Sequence, residues 1–134
     1  MIEMKTLEVS TSARETLEDI TAMIRKTLKK TGVESGRITL FVPHTTAAVT
    51  INENADPDVG RDLVYGLKKT FPDRKEFQHA EGNSDAHIKS SVIGPELTLL
   101  VENGDIVLGT WQGLYFCEFD GPRRRKLHMQ IEGK

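Results

Sequence analysis

Histidine exchanges protons and binds transition metals near neutral pH, and this chain carries four in its 134 residues. Two of them, His79 and His87, flank the segment Ala80-Glu81-Gly82-Asn83-Ser84-Asp85-Ala86. A loop running into a helix start can bring two such imidazoles together around a cation. A catalytic metal site also needs a third protein ligand and an open position for water or substrate. His44, in Pro43-His44-Thr45 at the mouth of a strand pair, is the expected third. Taken singly, each histidine is more readily a surface residue or a hydrogen-bonded core residue. Only their convergence would make a site.

Asn52, Glu53 and Asp56 cluster at the end of a strand, where a partly desolvated carboxylate could act as a general acid or base. Asp56 is accounted for as a helix cap and Asn52 as a strand terminator, which leaves Glu53 as the carboxylate in need of a partner. The run Asp120-Gly121-Pro122-Arg123-Arg124-Arg125 is a tight turn followed by guanidinium groups suited to phosphate or carboxylate. On a strand Arg123 and Arg125 share one face and Arg124 takes the other, so one face is expected to lie inward or at an interface. Trp111 and Gln112 could line a pocket, with core packing the simpler reading of Trp111. Cys117 alternates in phase with Trp111 and Tyr115 and reads as a buried small hydrophobe, not a nucleophile. No phosphate-binding loop, dinucleotide fingerprint, nucleophile elbow or zinc-protease helix motif is present.

The elements that must position these residues follow from periodicity. Ile2, Met4, Leu7 and Val9 predict an opening strand. Ser12 and Glu15 have capping-box spacing, and Ala13, Leu17, Ile20, Ile24 and Leu28 form one stripe, which predicts a helix ending at Gly32 after Lys29-Lys30. Two strands follow, one through Ile38, Leu40 and Val42, the other through Ala47, Val49 and Ile51. Asp56-Pro57 opens a second helix with Val59, Leu63, Leu67 and Phe71 on its stripe, closed by Pro72. Asp73 to Asp85 reads as a long loop, and Ala86 to Val92 as a short helical turn. Strands are then expected at Leu97 to Val101, Ile106 to Leu108, Thr110 to Phe119 and through Leu127, Met129 and Ile131.

With the main helices confined to the first half and strands crowding the second, the expected class is α+β with a mainly antiparallel body. Thr110 to Phe119 is apolar on both parities and should be buried on both faces, centrally in a sandwich or beneath a neighbouring subunit.

Hydrophobic residues make up 37% of the chain and charged residues 28%, which is ordinary for one folded domain and far from the regime of disorder. A net charge of −2 argues against non-specific attraction to nucleic acid or anionic membrane. Cys117 is the only cysteine, so no internal disulfide forms. Met1 to Val9 alternates charged and apolar residues, with no apolar core of a signal peptide, and a cytoplasmic location is expected.

Four blocks in order carry a resemblance. They are Pro43-His44-Thr45-Thr46-Ala47-Ala48 with Ile51-Asn52-Glu53-Asn54-Ala55-Asp56-Pro57; His79 through Lys89; Leu108-Gly109-Thr110-Trp111-Gln112-Gly113; and Glu118-Phe119-Asp120-Gly121-Pro122-Arg123. Together they resemble the YjbQ family over essentially the whole chain, read as a single domain spanning residues 1–134. The resemblance implies a β-sandwich-like α+β body, a homotrimer, a histidine-lined site in which some members hold metal, and a weak, secondary thiamine-phosphate synthase activity. Matched residue by residue, it implies His44, His79 and His87 as metal ligands. It implies His79, His87, Glu53 and Lys89 as catalytic groups, with Asn52, Asn83, Asp85, Trp111, Gln112 and Arg123 as neighbours that bind the ligand.

The leading expectation is therefore a small-molecule enzyme, dependent on a divalent metal such as zinc or magnesium, that joins an aminopyrimidine diphosphate to a thiazole phosphate and releases pyrophosphate. Lys89, Arg123 and the metal would stabilise the leaving negative charge. Two alternatives stand beside it: a zinc-dependent hydrolase using metal-bound water, and a non-catalytic trimer that binds metal or small anions. In each case the partner is a small phosphorylated molecule or anion, not nucleic acid or membrane.

Overall fold

Alternating burial along residues 2–10 and 124–133 is realised as one long antiparallel ribbon that joins the two ends of the chain. The computed structural model describes residues 1–134. The elements in order are β1 (Ile2–Ser10), β2 (Thr16–Asp19), α1 (Thr21–Thr31), β3 (Gly36–Phe41), β4 (Ala47–Glu53), α2 (Pro57–Thr70), α3 (Ser84–Ile93), β5 (Glu96–Glu102), β6 (Asp105–Ile106), β7 (Gln112–Glu118) and β8 (Arg124–Gly133). They build two wholly antiparallel sheets, ordered β1-β8-β3-β5-β6 and β2-β7-β4. No helix is long and apolar enough to cross a membrane.

The sheets face each other across the main core. Ile38, Leu40, Leu99, Leu127, Met129 and Ile131 of the larger sheet meet Val49, Leu114 and Phe116 of the smaller, and Ile24 and Leu28 of α1 join the same cluster. The opposite face of the small sheet is covered by helices: Ala48, Cys117 and Phe119 pack with Ala86 of α3, against Leu67 of α2. Strand β7 is thus buried on both faces, as its apolar run predicts. The chain supplies both covers itself, so this strand calls for no neighbouring subunit. At the β5–β6 hairpin, Asn103 (φ 55°) and Gly104 (φ 73°) both adopt the left-handed backbone that a two-residue turn of this hand requires.

Three expectations are corrected. The first helix begins at Thr21, not beside Ser12, because residues 16–19 form β2 along β7, with Leu17 opposite Cys117. Ser12 gives its N–H and hydroxyl to Glu18 (3.2 and 2.8 Å) and makes no capping box with Glu15. Asp19 instead accepts from the Thr21 N–H and hydroxyl (2.9 and 2.6 Å) at the true helix start. The end at Gly32 is as expected, with φ 72° and Lys29 and Lys30 in the last turn.

The second correction is that α3 is a ten-residue helix in the second half of the chain. Its inward face is Asp85, Ala86, Lys89 and Ser90, positions one turn apart but mostly polar. Hydrophobic periodicity has nothing to register there. The third concerns Trp111, which is exposed and not in the core, since it precedes β7 in the connecting loop and serves through its carbonyl, accepting from Asn54 N–H at 3.0 Å.

Candidate functional site

Three segments far apart in sequence end at one corner of the sandwich. The β3–β4 connection brings His44, the α2–α3 connection brings His79, and the first turn of α3 brings Asn83 and His87. The β7–β8 connection and the start of β8 add Asp120, Arg123 and Arg125. Together they line a mostly polar cavity of about 410 Å³, to which Pro43 contributes the one apolar side chain besides the threonine methyls. That size suits a small molecule. A larger cavity of about 570 Å³ lies between β2 and α2, beside Leu17, Val64, Tyr65 and Tyr115, and contains none of the histidines.

The expected convergence of the three histidines is therefore present. His79 and His87 stand with ring centroids 5.3 Å apart and ring planes at 88°. His44 is anchored differently: its Nε2 accepts the backbone N–H of Lys126 at 2.9 Å. Burial, and next the charge of Arg125, hold its pKa below that of an ordinary histidine, which favours the neutral ring.

The wall behind His44 is a buried ion pair. Arg125 donates from Nε to Glu118 Oε1 (2.8 Å) and from Nη2 to Glu118 Oε2 and Thr46 Oγ1 (2.8 Å for the latter). Thr11 Oγ1 also donates to Glu118 Oε1 at 2.8 Å. Burial alone would raise the Glu118 carboxyl, but the bonds from Arg125, the Asp120 N–H and Thr11 outweigh it and hold the group below the usual carboxylate range. Nearer the opening, Arg123 is half exposed and bonds Asp120, whose Oδ2 also accepts from Asn83 Nδ2 at 2.9 Å.

Other expected site residues lie elsewhere. Lys89 is fully buried on the far side of α3, where its ammonium bonds Glu15 and Asp85 (the latter at 3.2 Å), and Arg14 reaches Asp85 at 3.3 Å. Neither Lys89 nor Asp85 lines the histidine cavity, and the Lys89 ammonium is held by two carboxylates away from it. Burial would raise Asp85, yet the bonds from Lys89 and Arg14 prevail and lower it. Asn52, Glu53, Trp111 and Gln112 gather at the opposite end of the small sheet. The pair Ala47–Glu118 marks the cavity end of β4 and β7, and Glu53–Gln112 marks the other, six residues or about 20 Å away. Within one chain they cannot share a small ligand with the histidines.

Glu118 and Thr46 escape the sequence reading as site residues, while Arg125 and Asp120 enter it only as part of the turn-and-arginine run. The signal for Arg125 is its phase on β8: it shares a parity with Leu127, Met129 and Ile131, all buried. Arg123 precedes the strand, and the alternation does not govern it.

The metal implied by the resemblance can be tested against these side chains. No three His, Cys, Asp or Glu residues are grouped so as to hold an ion, and His44 has its Nε2 lone pair committed to Lys126. A three-histidine metal centre does not fit the arrangement of this chain.

Known proteins resemble the chain over nearly its full length. The family model described as UPF0047 protein YjbQ-like matches residues 5–134. The UPF0047 protein YugU of Bacillus subtilis is 47% identical over 131 residues, covering 97% of this chain and 99% of that protein. A UPF0047 protein of Methanocaldococcus jannaschii is 48% identical over 126 residues, covering 94% and 91%. Among solved structures, an uncharacterized YjbQ/UPF0047 protein from Clostridium acetobutylicum superposes with a TM-score of 0.92 at 48% identity, over 96% of this chain and 99% of the other. A YbjQ-like protein of unknown function from Sulfolobus solfataricus gives 0.94 at 30% identity, over 100% and 99%. With the same sandwich and nearly half the residues shared from end to end, the chain belongs to the YjbQ-like UPF0047 family.

Proposed function

We propose that this protein is a small-molecule enzyme that binds a phosphorylated substrate in the histidine cavity and uses His79 and His87 for proton transfer. The observation that carries the reading is that His44 from one stretch of chain and His79 and His87 from another line one mostly polar cavity with two guanidinium groups. Imidazoles supply a donor and an acceptor of protons, and Arg123 and Arg125 supply planar donors for oxyanions.

The reaction we assign to it is the condensation of an aminopyrimidine diphosphate with a thiazole phosphate. The thiazole nitrogen attacks the pyrimidine methylene carbon, a C–N bond forms, and the C–O bond to the diphosphate breaks as pyrophosphate leaves with the electron pair, its departing oxygen taking a proton from His79 or His87. Both substrates are anionic, which suits the arginines; Lys89, sequestered beneath α3, has no part in it. The purified chain mixed with the two precursors should form thiamine phosphate, read by its fluorescent oxidation product. No product at high enzyme concentration would remove this reaction.

Assembly as a homotrimer remains part of the proposal. The outer face of the larger sheet exposes Ile2, Met4, Phe41 and Leu100 with no helix over it, which supports a partner copy there. Sedimentation of the full chain should give three times the monomer mass, and monomers alone at micromolar concentration would refute it.

A further inference from the structure

The hydrogen bond from Lys126 N–H to His44 Nε2 has a chemical consequence. An acceptor nitrogen must keep its lone pair free of a proton, so in the neutral ring the proton is on Nδ1. His44 is then a fixed donor. Its Nε2 lone pair is engaged, its Nδ1 lone pair holds the proton, and neither is free for a metal.

Two further groups in the same cavity are incomplete. Arg125 is 3% exposed and uses Nε and Nη2 on Glu118 and Thr46, which leaves Nη1 as its unused donor. Asn83 is 8% exposed; its Nδ2 serves Asp120, and its Oδ1 is the buried side-chain atom with no donor in the protein. A buried acceptor of this kind is normally satisfied. The cavity thus offers a ligand two donors and one acceptor. Its net charge is restrained, because Glu118 offsets Arg125 and Asp120 offsets Arg123. A singly protonated oxyanion answers all three: two bare oxygens for the donors and one hydroxyl for the acceptor.

We propose that the His44–Arg125–Asn83 corner is a seat for a phosphate group bearing one proton, with His44 Nδ1–H and Arg125 Nη1–H donating to bare oxygens and Asn83 Oδ1 accepting from the P–OH. This deepens the functional reading above and rests on it for the claim that the phosphate belongs to a substrate. His44 is a positioning residue in this scheme, not a metal ligand. Phosphate is distinguished from sulfate, which has no hydroxyl at neutral pH and would leave Asn83 Oδ1 facing an oxygen lone pair.

Inorganic phosphate and sulfate are the probes, with the full chain labelled by ¹⁵N at histidine. Long-range proton–nitrogen spectra should show the Nδ1–H tautomer of His44 at neutral pH, and phosphate should shift it. Sulfate should bind more weakly by about tenfold. His44→Ala should lower phosphate affinity about tenfold. His44→Gln, whose amide can accept from Lys126 and donate to phosphate, should retain most of it, which a metal-ligand role would not allow. Added zinc should leave the His44 resonances in place. An Nε2–H tautomer, or equal affinity for the two anions, overturns the proposal, and the wild-type spectra decide it even if a variant fails to fold. Phosphate selectivity without turnover of any phosphorylated compound would leave the seat standing and remove the enzyme. Turnover with the other tautomer would do the reverse.

Discussion

Arg125 and Glu118 face each other as a buried two-pronged ion pair, 3% and 0% exposed, between the core of the sandwich and the histidine cavity. Such a pair joins stability to site geometry, because β8 contributes the guanidinium and β7 the carboxylate. Removing one partner leaves the other charge buried and uncompensated, which costs about 3–5 kcal/mol. Arg125→Met should therefore lower the urea midpoint strongly. The double variant Arg125→Met with Glu118→Met should recover most of the loss, since two well-packed apolar groups replace the pair. A double variant as unstable as the single would show that packing, not the stranded charge, sets the cost.

The acid limb of stability follows from the same carboxylate together with Asp85. Both are held below their ordinary values in the folded protein, with burial opposed and overcome by their basic partners. A carboxyl with a depressed folded pKa stabilises the fold above its unfolded value and loses that contribution as pH falls through the folded one. Stability should accordingly be level at neutral pH. It should decline from about pH 4, the ordinary carboxylate value, downward. Asp85→Asn should flatten that decline in urea titrations at stepped pH. An unchanged acid limb would mean that other carboxylates govern it.

Much of this was legible in the residues. The three histidines meet, the two-faced strand β7 is central, and Asp56-Pro57 opens α2 with the Asp58 N–H bonded to Asp56 at 2.9 Å. What stayed hidden has physical causes. The stripe Ala13-Leu17-Ile20 mimics a helix, but Leu17 is needed on β2 beside Cys117, and strand pairing outweighs local periodicity. The polar inward face of α3 exists because Lys89 finds two carboxylates, one of them on Glu15, seventy-four residues away. Long-range pairing of that kind leaves no trace in a local pattern. Glu53 and Trp111 resembled site residues by motif, and strand length places them at the end of the sheet opposite the histidine cavity.

Lys89 should be the fulcrum of α3. Lys89→Met strands Glu15 and Asp85 beneath the helix that carries Asn83 and His87. A loss of about 3–5 kcal/mol is expected, with amide exchange in residues 84–93 accelerating more than in β8. Uniform acceleration across both elements would show that α3 does not open separately.

Cys117 should report global unfolding. Burial pushes its thiol up to about 12 and no charged partner lowers it, so the thiolate that reacts with disulfide reagents is scarce in the folded state. Labelling should proceed at the rate set by unfolding and increase in proportion to the unfolded fraction in urea. Rapid labelling in native buffer would reveal local opening between β7 and α3.

His79 and His87 separate catalysis from stability. His79 is exposed and His87 half-buried, and neither makes a side-chain hydrogen bond to the protein, so alanine at either should change stability by only about 0.5 kcal/mol. If they transfer protons in the reaction, each substitution should lower kcat by about 10²–10⁴-fold with little change in KM. The phosphate seat formed by His44 and Arg125 would be intact in both variants, so phosphate affinity should hold while turnover falls. A loss of phosphate binding that matches the loss of rate would instead make the pair part of the binding site. In that event the proton donor would have to be found elsewhere in the cavity, with Glu81 and Asp120 the remaining acids on its wall.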